Sequence, residues 1–289
     1  MAASEFDLQL ASGRLHAKRY GSPDAPLVLA VPGLSANLMS FEFLGERLDA
    51  AAVQLVSVDL RGRGLSDVTP PGTYGWVHHA ADLFEIAGQL GAATFSLVGH
   101  SMGAAVAMAA AAQDAARIER MVLVDLCGVP DASTAAPIGA SVARLGAVYP
   151  SAEAYLDQIK AIGTIRPWSE YWDRYFGYEL QPVEGGGFAA RTSRAAVMED
   201  AMFGVGACAF GDAAGVYGLW RSLTMPVLLL RATREMFPGT GFILNKRDRD
   251  RFVATVPGAV AVDVDANHYT IATSDAAVTA IGGFLKSGG

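Results

Sequence analysis

The pentapeptide Gly99-His100-Ser101-Met102-Gly103 decides how this chain is read. It places a small nucleophile between two glycines. The β-branched and aromatic run Thr94-Phe95-Ser96-Leu97-Val98 precedes it, and the helix-forming stretch Ala104 to Ala112 follows. Strand, tight turn and helix in that order make a candidate nucleophile elbow. Such a turn presents the serine hydroxyl at the top of a sheet, and the flanking glycines let backbones pass closely. The same residues also read as a glycine-flanked serine capping a core helix.

Working outward, strands and helices alternate. Phe6 to Leu10 and Leu15 to Tyr20 have the alternating pattern of an opening hairpin, and Pro26 introduces Leu27 to Val31, an apolar run suited to a strand buried on both faces. That strand ends in the glycine-containing loop Pro32-Gly33-Leu34-Ser35-Ala36-Asn37, whose amides can line a pocket, and a helix is predicted over Phe41 to Leu48. Val53 to Val58 is the next strand. The loop after it, Asp59 to Ser66, has two arginines and two glycines but neither nucleotide-binding pattern, so it reads as a structural turn. Val77 to Leu90 has helical spacing, and Met121 to Val124 is a strand ending at Asp125. This order predicts an α/β fold: a mostly parallel, doubly wound sheet with its chemistry at the carboxyl ends of the strands.

After Pro130 the pattern changes. Asp131 to Leu223 shows no clear buried strand, helical stretches such as Ala152 to Ile162, the triple glycine Gly185-Gly186-Gly187 as a flexible loop, and an aromatic group from Trp168 to Tyr178. Residues 131–223 are therefore expected to form a helical insertion, and residues 1–130 and 224–289 the core. Strand character returns at Val227 to Leu230 and Ala259 to Val264, and a last helix is predicted over Asp275 to Leu285.

Composition narrows the function. Hydrophobic residues make up 52% and charged residues 18%, which excludes a disordered chain. A formal charge of −7 argues against nucleic-acid binding, and the densest basic run, Lys246 to Arg251, is interleaved with acids and reads as a solvated helix face. With no apolar run long enough to span a bilayer and no signal-type segment, neither membrane partnership nor export is expected. Cys127 and Cys208 are too few for a disulfide framework and lack metal-ligand spacing, so a reducing cytoplasm is the expected setting.

A serine hydroxyl is a weak nucleophile and needs a base oriented by a third group. Of the five histidines, His16 lies in the opening hairpin, His78 and His79 start a surface helix, and His100 is directed elsewhere by the elbow. His268 remains, in a loop after the last predicted strand, at the edge where Ser101 also sits. Two acids compete to orient it. Asp125 directly follows a strand, and Glu235 follows the strand at Leu228 to Leu230 after a short segment.

These residues resemble the α/β-hydrolase superfamily over nearly the whole chain. The resemblance rests on Gly99-His100-Ser101-Met102-Gly103, on Asp59-x-Arg61-Gly62-x-Gly64-x-Ser66, on Asn267-His268-Tyr269, and on the order Ser, Asp, His. It implies a helical cap after the sixth strand and an oxyanion hole made by the Leu34 and Met102 amides. Many members have His-Gly where this chain has Pro32-Gly33, but both donors are backbone groups. The usual acid after the seventh strand has no counterpart in Arg231-Ala232-Thr233-Arg234-Glu235. Some esterases and lactone hydrolases of the superfamily take their acid from the end of the sixth strand, where Asp125 stands. That position favours Asp125, with Glu235 the alternative.

The resemblance implies hydrolysis, through an acyl-enzyme, of a carboxylic ester or lactone of a small hydrophobic or aromatic molecule, with no cofactor or metal required. Trp168, Trp172 and Tyr269 are candidate substrate contacts, though such aromatics also serve as ordinary cap core. The alternative is carbon–carbon bond hydrolysis of ring-cleavage diketones with the same triad. Rarer outcomes of the same scaffold are cofactor-free oxygenation, lyase chemistry or ligand binding. Epoxide hydrolases and dehalogenases are disfavoured, because they carry aspartate where Ser101 stands.

Overall fold

The computed structural model describes residues 3–205 and 215–286. The chain begins with β1 (Ser4–Leu10), β2 (Gly13–Tyr20), β3 (Leu27–Val31), α1 (Glu42–Gly45), β4 (Gln54–Val58), α2 (Trp76–Gln89), β5 (Phe95–His100), α3 (Met102–Asp114) and β6 (Ile118–Val124). An insertion follows, with α4 (Ala135–Ala143), β7 (Val148–Tyr149), α5 (Ala152–Ile162), α6 (Glu170–Glu179), β8 (Leu180–Pro182), β9 (Phe188–Ala190) and α7 (Arg194–Val205). The core resumes with β10 (Val227–Ala232), α8 (Lys246–Thr255), β11 (Val260–Val264) and α9 (Asp275–Lys286).

Eight strands form one sheet in the order β1-β2-β4-β3-β5-β6-β10-β11, antiparallel through β1, β2 and β4 and parallel from β4 to β11. The apolar runs explain this arrangement. Along β3, Leu27, Leu29 and Val31 pack with α2 and α3 on one face, while Val28 and Ala30 pack with α1 and α9 on the other. Helix α3 is buried from Met102 to Ala111, as suits a helix that is apolar all round. The strand order reverses at β3, which lies between β4 and β5, so a crevice opens beyond the carboxyl ends of β3 and β5.

Three local expectations change. The helix predicted over Phe41 to Leu48 is a 3-10 turn at Leu38–Phe41 followed by the single turn α1, whose last residue, Gly45, is a poor helix former. The insertion is not purely helical: β7, β9 and β8 make a small antiparallel sheet, with strands too short to show a period in sequence. Gly185, Gly186 and Gly187, all at positive φ, form the turn between β8 and β9, closed by the Val183 amide donating to the Gly187 carbonyl. Among the described residues no helix is long and apolar enough to cross a membrane. Cys127 is a buried free thiol, and Cys208 lies outside the described residues.

Candidate active site

Ser101 stands at the junction of β5 and α3 with φ of 56°, and Asp125, just after β6, has the same φ. They are the only non-glycine residues at positive φ among those described. The chain can turn so sharply at Ser101 because Gly99 and Gly103 lack side chains: a Cβ on Gly103 would run into the Val31 carbonyl, and one on Gly99 into the Gly103 carbonyl. Parallel pairing aligns His100 with Val124, and the Ser101 amide donates to the Val124 carbonyl at 2.9 Å. Ser101 and Asp125 therefore occupy neighbouring strand ends.

His268 spans the gap between their side chains. Its Nε2 lies 3.0 Å from Ser101 Oγ and its Nδ1 2.8 Å from Asp125 Oδ2. A carboxylate can only accept, so Nδ1–H donates to Asp125 and Nε2 is left to accept from the serine hydroxyl. The other Asp125 oxygen accepts from the Ala232 amide at 2.8 Å. Burial pushes the Asp125 carboxyl up, while the His268 hydrogen bond and charge and the Ala232 amide pull it back. Glu235 is engaged elsewhere: its two oxygens accept from the Gly239 amide at 2.7 Å and the Gly241 amide at 2.9 Å, tying off the turn after β10.

Sequence reasoning set His100 aside, yet it supports the site from behind. Its Nε2 donates to the His268 carbonyl at 2.9 Å, and the two rings lie 4.7 Å apart, centroid to centroid. Burial, reinforced by the nearby His268, lowers its pKa to about 3, so it stays neutral. Asn267 anchors the same loop, donating to the Thr164 carbonyl of the insertion at 2.6 Å and accepting from the Tyr269 and Thr270 amides.

The loop after β3 completes the rim. A Cβ on Gly33 would lie 3.2 Å from Ser101 Cβ, so this backbone runs directly beside the nucleophile. Leu34 and Met102 both line the cavity that opens over Ser101, and among the described residues neither amide has a protein hydrogen-bond partner. The cavity holds about 930 Å³ and is walled mainly by apolar side chains, Trp172 of the insertion and Tyr269 of the loop after β11 among them. Trp168 is not. Its ring stacks on Phe176 and its Nε1 donates to Asp173 at 3.0 Å, because its side chain packs into the insertion's own core. Among the described residues no cluster of three or more His, Cys, Asp or Glu is placed to hold a metal ion.

Two charged groups of the cavity wall, Arg144 and Asp200, are ion-paired. Arg144 Nη2 meets Glu179 Oε1 at 2.7 Å, and Asp200 meets Arg63 at 2.6 Å and His79 at 3.0 Å, all deeply buried. His79 therefore does not lie on a surface helix as expected; cap residue Asp200 covers it. Burial alone would raise the Asp200 pKa, but the hydrogen bond and charge of His79, the Arg63 guanidinium and the Gly75 amide together hold it at about 2. None of this pairing was visible in sequence, since its members come from separate stretches of chain.

The model of the alpha/beta hydrolase fold matches residues 26–271. The chain belongs to this family. Among the relatives of this alpha/beta hydrolase, N-formylmaleamate deformylase of Pseudomonas putida is 44% identical over 112 residues, covering 39% of this chain and 41% of that protein. A 2-(acetamidomethylene)succinate hydrolase of Mesorhizobium japonicum is 29% identical over 85% of this chain and 84% of its own length. The chain spans less than two thirds of the length of the deformylase it matches. A crystal structure of E-2-(acetamidomethylene)succinate hydrolase superposes with a TM-score of 0.85, at 23% identity, covering 99% of this chain and 100% of that one; this likeness is one of fold.

Proposed function

We propose that this hydrolase cleaves an acyl group from a small conjugated molecule through a serine acyl-enzyme. The observation that carries the reading is the unbroken hydrogen-bonded run Ser101–His268–Asp125 opening into an apolar cavity. Ser101 Oγ attacks the acyl carbon while His268 Nε2 takes its proton, and His268 then delivers that proton to the departing group. Asp125 holds the ring and stabilises the imidazolium. The Leu34 and Met102 amides receive the oxyanion, and water later repeats the attack to free the acid.

Neither relative's name describes an ester or a lactone. One is a deformylase, and the other hydrolyses an acetamidomethylene-succinate. These names shift weight from the carboxylic ester toward the alternative, carbon–carbon bond hydrolysis of ring-cleavage diketones, and widen it to acyl groups whose leaving fragment is stabilised by conjugation. An ester or lactone is the second reading, favoured by the predominantly apolar wall around Trp172 and Tyr269. A small organic molecule is the proposed partner in both, and Cys127, a buried free thiol, suits a reducing cytoplasm.

The test is stoichiometric labelling of Ser101 by a serine-directed phosphonate, followed by turnover of a panel of vinylogous diketones, N-acyl enamides, lactones and p-nitrophenyl esters. The expected order puts the conjugated acyl compounds first. An enzyme that turns over only simple esters would move the conclusion to the second reading, and a folded protein whose serine is never labelled would overturn both.

A further inference from the structure

The loop that carries the Leu34 amide is gripped by two buried arginines. Arg63 directs Nε and Nη2 at the Leu34 carbonyl, at 3.1 and 2.8 Å, and Nη1 at the Arg61 carbonyl at 2.8 Å. The same Nη2 meets Asp200 Oδ2, on α7, at 2.6 Å, with both side chains wholly buried. Arg144 reaches the next carbonyl, that of Ser35, at 3.4 Å, and pairs with Glu179 at the end of α6. Successive carbonyls of one loop are thus tied to two separate elements of the insertion.

We infer that Arg63 is a positioning residue for the oxyanion loop, and that its pairing with Asp200 makes the aim of the Leu34 amide depend on α7 being seated against the core. This inference rests on the serine acyl-transfer reading above. The Leu34 amide nitrogen and carbonyl belong to one residue, so two donors from a planar fork on that carbonyl restrict where the N–H points. The fork itself is held in place. Asp200 accepts from the Gly75 amide at 2.6 Å and meets His79 of α2 at 3.0 Å, so the carboxylate that the guanidinium meets is itself fixed to the core. Buried ion pairs add little net stability, because desolvation offsets most of their attraction, and the value of this one lies in where it holds the loop. Helix α7 also forms part of the cavity wall through Met198, Asp200 and Ala201, so a substrate against that wall touches the element that holds the loop.

Arg63→Lys tests this directly, since lysine keeps a charge opposite Asp200 and loses the fork. With p-nitrophenyl butyrate as probe and active serines counted by phosphonate titration, kcat per titrated serine should fall about tenfold to a hundredfold with KM within about twofold. Affinity for a phenylboronic acid, which forms a tetrahedral adduct on the serine, should fall by the same factor. Asp200→Asn, which keeps the shape and removes the charge, should show the same pattern to a smaller degree and covers the case in which the lysine variant fails to fold. Unchanged kcat per titrated serine in either folded variant would overturn the inference while leaving the serine reading intact. A wild-type protein that takes no phosphonate would remove the serine reading, and this inference with it.

Discussion

Two buried carboxylates are each hydrogen-bonded to a histidine, Asp125 at the end of β6 to His268 and Asp200 on α7 to His79, and they differ in what else they meet. Asp200 also faces Arg63, a group that never loses its charge under ordinary conditions, whereas among the described residues the only ring or cation bonded to Asp125 is His268, which can gain or lose a proton. The first carboxyl is held down at about 2 and the second is pushed up by burial. A carboxylate locked against a permanent cation can only hold a position. One locked against an imidazole can respond when that imidazole takes up a proton, which is what acyl transfer asks of it.

The largest expected effect removes the group that both carboxylates serve. Ser101→Ala should lower kcat by about a millionfold on any substrate of the panel, read by turnover under excess enzyme. Asp125→Asn should then cost about 10⁴-fold in kcat, because the amide presents the wrong partner to Nδ1, with the unfolding midpoint little changed. Asp200→Asn should invert that profile, with a modest loss of kcat and a loss of stability of about 3 kcal/mol, since Arg63 would keep a buried charge without a partner. Equal effects of the two asparagine substitutions on kcat would erase the distinction drawn here.

Acid sharpens it further. The Asp200 carboxyl takes its proton at about 2 in the folded chain against an ordinary 3.8, so in that range the unfolded chain binds more protons. Its contribution is complete above about pH 4 and is lost as pH falls through about 2. Urea midpoints measured between pH 5 and 2 should therefore fall more steeply for the wild type than for Asp200→Asn. The smallest effect belongs to Glu235→Gln. Its carboxylate only ties off the turn at Gly239 and Gly241, and kcat should stay within about twofold of wild type.

What was readable in the sequence follows the same division. The central strands show themselves as apolar runs because both faces of the sheet are covered, and the elbow shows itself because only glycine fits on either side of Ser101. Ser101, Asp125 and His268 could be nominated because each stands at or just beyond a strand end, and the structure brings them within hydrogen-bond reach of one another. The Arg63–Asp200–His79 cluster has no local signature, since a buried charge looks like any other charge until its partner arrives from a distant stretch. Trp168 and Trp172 were indistinguishable in sequence; both pack in the insertion's aromatic cluster, but Trp168 lies in the loop before α6 and only Trp172, on the helix, also reaches the cavity. The strands β7 to β9 escaped notice because two or three residues cannot display an alternation.

Asp125 takes only backbone from the end of β10: its side chain accepts from the Ala232 amide and its own amide donates to the Leu230 carbonyl. No side chain between Thr233 and Asn245 is bonded to Ser101, His268 or Asp125 among the described residues. That connection is thereby released from the chemistry. Met236, Ile243 and Leu244 hold its flanks in the core, so the part that can drift, or be rebuilt by an engineer, is the exposed turn at Pro238 and Gly239, the place on this rim where new specificity can be grafted without retuning the three residues beneath.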